Sequence, residues 1–257
     1  MLFLSDLDGT LMDSNGTITE EDVNSIHQWT QKHSFGFVTG RDHAFCMELA
    51  SKYQLSCEYM ITDNGANAYY KDQNVYSSLI DLDDGIQMCK AILEYNLDLF
   101  YTDEEGNRYY PVSCYGKERL LNFEKKQPSL GRFSNLDILK YLNSRDSGLA
   151  KLSVYVENDS NLLLNQFRDL FKNYEVMATS KDYIEITRKG TNKWEAFCHL
   201  PIEDAIFIGD GENDLCILKK LNDTYVMEHA PESLRAYGVC VKSAAEAMNI
   251  ESRKENV

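Results

Sequence analysis

The sequence predicts an α/β protein, a parallel sheet flanked by helices, into which an α+β block is inserted. Three observations predict it. Short apolar runs at 1–4, 35–38 and 59–61 alternate with stretches of helical periodicity, and that rhythm builds parallel strands joined by right-handed crossovers. From 82 to 184 the pattern changes to paired strands with helices beside them. At 205–208 an apolar strand restarts the first pattern. The predicted organisation is a discontinuous core of 1–81 and 185–257 around an inserted domain of 82–184. Such a division suits 257 residues, because single domains are usually shorter.

Each element follows from its residues. Met1, Leu2, Phe3 and Leu4 are apolar throughout, as a strand buried on both faces requires. Thr19 followed by Glu20, Glu21 and Asp22 predicts an N-cap with acids in the first turn, and Val23, Ile26 and Trp29 carry that helix towards His33. The second strand ends at Thr39, Gly40 and Arg41, a helix marked by Phe45 and Leu49 follows, and 59–61 is the third strand. Asn64 and Gly65 predict a turn, and 66–70 with 75–76 a hairpin around the polar residues 71–74.

In the inserted block, 83–94 is a predicted helix, and 97–102 with 108–110 bracket a polar turn. Residues 151–157 alternate as an antiparallel strand does, 161–171 have helical periodicity, and 174–179 with 183–187 form a further strand pair. The core resumes with strand 205–208, helix 214–220 and strands 224–227 and 238–241.

Composition narrows the function. A net charge of −15 argues against a nucleic-acid or anionic-membrane partner, since either selects clustered lysine and arginine. The seven cysteines stand singly with no CxxC pair, which predicts reduced thiols rather than a disulfide frame or a zinc site. No charged leader precedes a longer apolar segment, and no stretch is long enough for a bilayer. A cytoplasmic protein, monomeric or weakly dimeric, is expected.

Chemistry concentrates at the predicted strand ends. Asp6 and Asp8 lie two apart, so in an extended segment they face the same way. Like charges that close need a cation between them or a proton on one. A solvated turn or an EF-hand loop would share the DxDG pattern. The EF-hand fails because Thr10 and Leu11 follow Gly9 and Thr17 stands where the closing glutamate belongs. Thr39 after the second strand, and Asp210 and Asp214 after 205–208, fall at equivalent strand ends, where open α/β sheets bind ligands. Four carboxylates gathered there call for a hard divalent cation, and oxygen-only ligation suits Mg²⁺. Taken singly, Gly209 to Asp214 would read as a glycine-rich turn, Thr39 as a helix cap and Lys193 as a solvated lysine.

Taken together, DLDGT at 6–10, VTGR at 38–41, TDNGA at 62–66, Lys193 within KGTNKWEAF and GDGEND at 209–214 resemble the haloacid dehalogenase (HAD) superfamily. More narrowly they resemble its Cof-type, subfamily IIB sugar-phosphate phosphatases. The resemblance runs the length of the chain, although the inserted block matches in pattern alone. It implies a Rossmann-like three-layer α/β/α core with an α+β cap of the C2B type. It also implies a Mg²⁺-dependent phosphatase acting on small phosphorylated metabolites.

The family's roles carry over residue by residue. Asp6 would be the nucleophile that forms an aspartyl-phosphate. Asp8 would protonate the leaving group and then deprotonate the hydrolytic water. Asp6, the Asp8 backbone carbonyl and Asp210 would hold the metal, with Asp214 ligating it or orienting its water. The Thr39 hydroxyl, the Leu7 and Gly40 N–H groups, Lys193 and Asn213 would bind the phosphoryl oxygens. The inserted block would lie over the site as a lid hinged near Asp81 and Glu185; the polar, aromatic and glycine-bearing stretches 103–108 and 111–117 read either as sugar-facing loops or as plain solvent loops.

The sequence departs from the family pattern at Trp194, where glycine usually follows the lysine, and at His229, where asparagine usually precedes the alanine. None of the five histidines is assigned to catalysis. A phosphosugar mutase and a phosphate-sensing regulatory protein remain alternatives, distinguished by isomer formation and by binding without turnover.

Overall fold

The structure of the chain is a computed structural model describing residues 1–103, 106–110, 139, 142–156, 160–180 and 182–254. It divides into two compact units, Met1–Ser77 with Asn192–Val257, and Ser78–Thr191.

The first unit opens with β1 (Leu2–Ser5), α1 (Glu20–Trp29), β2 (Ser34–Val38), α2 (His43–Tyr53), β3 (Tyr59–Thr62), β4 (Asn67–Tyr70) and β5 (Gln73–Ser77). The second contains α3 (Leu82–Glu94), β6 (Asp98–Asp103), β7 (Gly106–Tyr110), β8 (Lys151–Tyr155), α4 (Ser160–Leu170), β9 (Tyr174–Ser180) and β10 (Tyr183–Arg188). The chain then returns to the first unit through α5 (Lys193–Phe197), β11 (Ile206–Gly209) and α6 (Leu215–Leu218). It ends with β12 (Thr224–Met227), α7 (Glu232–Arg235), β13 (Val239–Val241) and α8 (Ala244–Lys254).

The first sheet has the order β13-β12-β11-β1-β2-β3-β4-β5. It is parallel from β13 to β3 and antiparallel through β4 and β5. Alternation along the central strand explains the layers, since successive side chains leave a strand on opposite faces. Phe3 packs with Ile26, Trp29 and Met248 of α1 and α8. Its neighbours Leu2 and Leu4 pack with Phe197, Leu218 and Leu234 of α5, α6 and α7. A strand apolar on both faces therefore sits between two helical layers.

Asp22 links distant parts of this unit. Thr19 caps α1 by accepting the Asp22 N–H at 3.1 Å, and Asp22 Oδ1 accepts the Ala245 N–H at 2.8 Å, at the start of α8. Both interactions satisfy donors that a helix's first turn leaves without partners. α1 stops at Trp29, short of the expected His33, where Trp29 Nε1 turns to donate to the Ser34 carbonyl at 3.0 Å. The helix expected over 214–220 is shorter, a 3₁₀ turn at Glu212–Asp214 followed by α6.

The second unit is an antiparallel sheet of order β7-β6-β8-β10-β9. One face packs Leu99, Leu152, Val154, Ile184 and Ile186 against α3 and α4 through Ile86, Cys89, Ile92 and Phe167, and against Phe171 just beyond α4. This unit extends beyond the expected limits of 82–184. Ile80 pairs with Leu149 in an antiparallel bridge, and β10 runs through Glu185 to Arg188 between two partner strands. Asp81 stands at the N-cap of α3 and Glu185 lies mid-strand, so strand pairing assigns both expected hinge positions to the inserted unit. Its two ends meet, with Ser78 Oγ and Thr191 Oγ1 2.8 Å apart. Residues 104 and 105 of the expected sugar-facing turn, and the whole 111–117 loop, lie outside the described residues. No helix among the described residues is long and apolar enough to cross a membrane.

Candidate active site

The site is assembled by strand adjacency. β1 is hydrogen-bonded to β2 on one side and β11 on the other, so the segments leaving these strands at Asp6, Thr39 and Asp210 emerge side by side. The Asp6 N–H still donates to the Ile208 carbonyl at 3.0 Å. Beyond it the chain curls tightly, because the Leu7 carbonyl accepts the N–H groups of Thr10, Leu11 and Met12. Gly9 makes the curl with φ 88°, and a Cβ there would fall 2.4 Å from Asp210 Oδ2. A side chain would meet both a strained backbone and the carboxylate itself.

Lys193 lies at the centre. It opens α5, capped by Asn192, whose side chain accepts the Glu195 N–H at 2.9 Å. Its side chain is fully buried, with Nζ 2.8 Å from Asp6 Oδ1 and 2.6 Å from Asp214 Oδ1, so it is no solvated lysine. Burial opposes its charge, and Asp214 and then Asp6 outweigh burial to hold its pKa above that of an ordinary lysine.

Asp214 is fully committed. Its Oδ2 accepts the Asp210 N–H at 3.0 Å and the Gly211 N–H at 2.9 Å, while Oδ1 faces Lys193. It thereby folds the glycine-rich loop about itself and aims Asp210. Asp210 Oδ1 accepts the Thr10 hydroxyl at 2.9 Å, and Oδ2 lies 3.4 Å from His229 Nε2.

Oxygens of Asp6, Asp210 and Asp214 all lie within 4.8 Å of one another. Burial pushes the Asp6 carboxyl well above the usual range; Lys193 pulls it down, and Asp214 and Asp210 push it further up. Asp210 is raised as well, first by burial. One ammonium cannot balance two buried carboxylates and a half-buried third, and the donors are all oxygen, so this cluster fits a hard divalent cation.

Asp8 is placed differently. Its carboxylate turns away from the cluster and pairs bidentately with Arg41, at 2.8 Å from Nε and 2.6 Å from Nη2. Its side chain is 52% exposed. Its carboxylate thus stands outside the group formed by Asp6, Asp210 and Asp214 and is open to solvent.

Thr39 is buried, with Oγ1 accepting the Arg41 N–H at 3.1 Å. It is not the helix cap, because Asp42 caps α2 by accepting the Phe45 N–H at 3.1 Å. Asn213 is exposed, and its Nδ2 donates to Asn64 Oδ1 at 3.1 Å. Leu7 and Gly40 occupy the loops after β1 and β2. The structure therefore brings buried Asp6, Lys193 and Asp214 together with half-buried Asp210, with Asp8, Thr39 and Asn213 on the loops around them.

Sequence reasoning passed over four residues. Thr10, Arg41 and Asn64 stand inside quoted motifs without a role, and His229 was set aside with the other histidines. For the first three the motif itself was the signal. For His229 the signal was its departure from the family pattern. Trp194, the other departure, stacks on Phe197 with ring centroids 5.2 Å apart and packs against the core.

A family model described as haloacid dehalogenase-like hydrolase matches residues 3–247. The chain belongs to the haloacid dehalogenase-like hydrolases. Among solved structures, this hydrolase is similar to a Thermotoga maritima protein, with a TM-score of 0.80 at 20% identity over 100% of this chain and 97% of that one. It is similar to the HAD subclass IIB sugar phosphatase BT4131, with a TM-score of 0.76 at 17% identity over 99% and 98%. A haloacid dehalogenase-like hydrolase from Bacteroides thetaiotaomicron gives a TM-score of 0.79 at 18% identity over 97% and 98%. At these identities the likenesses establish the fold, a parallel-sheet core with an inserted cap. Comparison with curated proteins gives no match.

Proposed function

We propose that this hydrolase is a Mg²⁺-dependent phosphatase of small phosphorylated metabolites, foremost sugar phosphates, working through an aspartyl-phosphate on Asp6. The observation that carries the reading is the division of labour between its first two carboxylates. Asp6 is buried against Lys193, whereas Asp8 is held outside the cluster by Arg41. The first suits a nucleophile in an electrostatically prepared site; the second, open to solvent, suits a group that exchanges protons with substrate and water once it leaves the Arg41 pair, which favours its charged form.

An Asp6 oxygen would attack phosphorus as the bond to the ester oxygen breaks, and Asp8 would give its proton to the departing alkoxide. Asp8 would then take a proton from water as that water attacks the phosphorus of the acyl phosphate, releasing inorganic phosphate and restoring Asp6. Lys193, the Thr39 hydroxyl, the Leu7 and Gly40 N–H groups and Asn213 would neutralise and orient the phosphoryl oxygens. Asp6 and Asp210, with Asp214 holding their loop, would bind the cation together with the Asp8 carbonyl. When bound, the cation would offset the repulsion between carboxylate and dianionic ester.

The inserted unit would read the leaving group. On the sheet face opposite its apolar cluster, Lys151 Nζ pairs with Glu185 Oε1 at 3.2 Å, beside Ser153. On the same face Tyr183 lies 5.5 Å from Tyr155 and 6.0 Å from Phe100, between ring centroids. Rings next to paired polar groups suit a sugar, which offers both apolar and hydroxyl surface. The sugar phosphatase among the similar structures supports that class. The net charge of −15 accords with an enzyme that binds neither nucleic acid nor membrane, which we take to be cytoplasmic and monomeric or weakly dimeric.

The test is release of inorganic phosphate from p-nitrophenyl phosphate and a panel of hexose phosphates, with EDTA and with restored Mg²⁺. Metal-dependent release is expected. An isomerised hexose phosphate without free phosphate would instead show a mutase, and metal-independent turnover would overturn the reading.

A further inference from the structure

The turn at Asp63–Gly65 has no role in the chemistry above, yet it touches three of the loops that do. Its backbone reaches the loop after β2: the Asp63 N–H donates to the Arg41 carbonyl at 2.9 Å and the Asn64 N–H to the Thr39 carbonyl at 3.1 Å. Gly65, with φ 95°, lies against the start of α5 so closely that a Cβ would stand 2.2 Å from the Asn192 carbonyl oxygen and 2.7 Å from the Lys193 nitrogen. The Asn64 side chain reaches the third loop, accepting from Asn213 Nδ2 at 3.1 Å. It also abuts Gly40, where a Cβ would meet its amide at 3.1 to 3.2 Å.

We propose that Asn64 is a positioning residue for phosphate: it fixes the amide of Asn213 and the peptide at Gly40 so that their donors converge on one anion. The proposal rests on the phosphatase reading above. A carboxamide nitrogen carries two protons. Asn64 accepts one of those on Asn213, which sets the plane of the amide and the direction of the other. Asn213 is exposed, and an exposed amide without such an anchor would lose rotamer freedom on binding and with it affinity. Asn64 itself is 5% exposed, so its position is set by packing rather than by solvent.

A competing account needs only the backbone. Asn64 has φ 56° and ψ 29°, the left-handed region that asparagine tolerates better than most residues. Glycine separates the two accounts, because it adopts that backbone freely and carries no amide. Inorganic phosphate binding in the presence of Mg²⁺, measured by calorimetry, reads the effect without turnover. Asn64→Gly is expected to weaken phosphate about tenfold, the order of one hydrogen bond to a charged group, at nearly unchanged Tm. Asn213→Ala should weaken it to a similar extent, and the double variant should be no weaker than the worse single one.

Wild-type phosphate affinity in Asn64→Gly, a loss seen in Tm alone, or losses that multiply in the double variant would each overturn the proposal and leave the phosphatase reading standing. Wild-type protein that neither binds phosphate nor hydrolyses an ester would overturn that reading, and the proposal with it.

Discussion

Single side chains in this site are defined by what they are bonded to. Lys193 touches two carboxylates, Asp214 spends both oxygens on Lys193 and two backbone N–H groups, and Asp8 is clasped by Arg41. The Arg41–Asp8 pair carries the clearest prediction at this scale. A general acid–base group contributes about 10²–10⁴-fold to rate, so Asp8→Asn should lower kcat by roughly that factor on a poor leaving group. Arg41→Ala should lower kcat by part of it, since Asp8 would keep its chemistry and lose its aim. Neither change touches the buried cluster, so Mg²⁺ affinity measured by calorimetry should stay at the wild-type value in both. A collapse of Mg²⁺ binding in Asp8→Asn would show instead that its carboxylate is a metal ligand.

Among the elements, the short connections matter more than the helices and strands they join. β1, β2 and β11 do little beyond delivering three loops to one place. The turn after β3 that braces those loops depends on a close backbone approach at Gly65 that a side chain would block. At Gly65, alanine would add a left-handed backbone penalty of about 1–2 kcal/mol, and its Cβ would press on the Asn192 carbonyl. A domain of this size loses about 2–4 °C in Tm per kcal/mol, so Gly65→Ala should unfold at least several degrees earlier. It should also bind phosphate more weakly, because displacing Asn192 shifts Lys193. An alanine variant with the wild-type Tm would mean that the turn can move away from α5 freely.

The whole molecule is two folding units on one chain, the first of them discontinuous in sequence, and the junctions favour dissecting them. Ser78 and Thr191 hydrogen-bond to each other, so the ends of the inserted unit already lie side by side and a short linker can replace the segment between them. Each unit has its own apolar core, which favours independent folding. A protein in which a few glycines and serines replace 78–191 is expected to fold and to keep hydrolysing p-nitrophenyl phosphate. It should lose its preference among phosphorylated sugars, polyols and nucleotides. A circular dichroism spectrum with substrate ranking over such a panel decides it. An unchanged ranking would place selection in the core.

The architecture was legible in the residues, and so were most members of the candidate site, though not Thr10, Arg41, Asn64 or His229. Apolar runs at β1, β2, β3 and β11 and the break in pattern between them specified a parallel core with an insertion, because burial and periodicity are local properties of the chain. The spacing of Asp6, Asp8, Asp210 and Asp214 likewise pointed to a candidate cation site, of which packing gathers Asp6, Asp210 and Asp214. Packing alone settled which candidates meet which partners. That Asp8 faces Arg41 while Asp6 faces Lys193 depends on contacts between residues 33 and 187 positions apart. No local pattern encodes which of two carboxylates a distant cation will choose. The limits of the inserted unit shifted for the same reason: Ile80 and Glu185 belong to it through strand partners at Leu149 and Ser153. Periodicity shows that a segment will pair, and packing across the chain selects its partner.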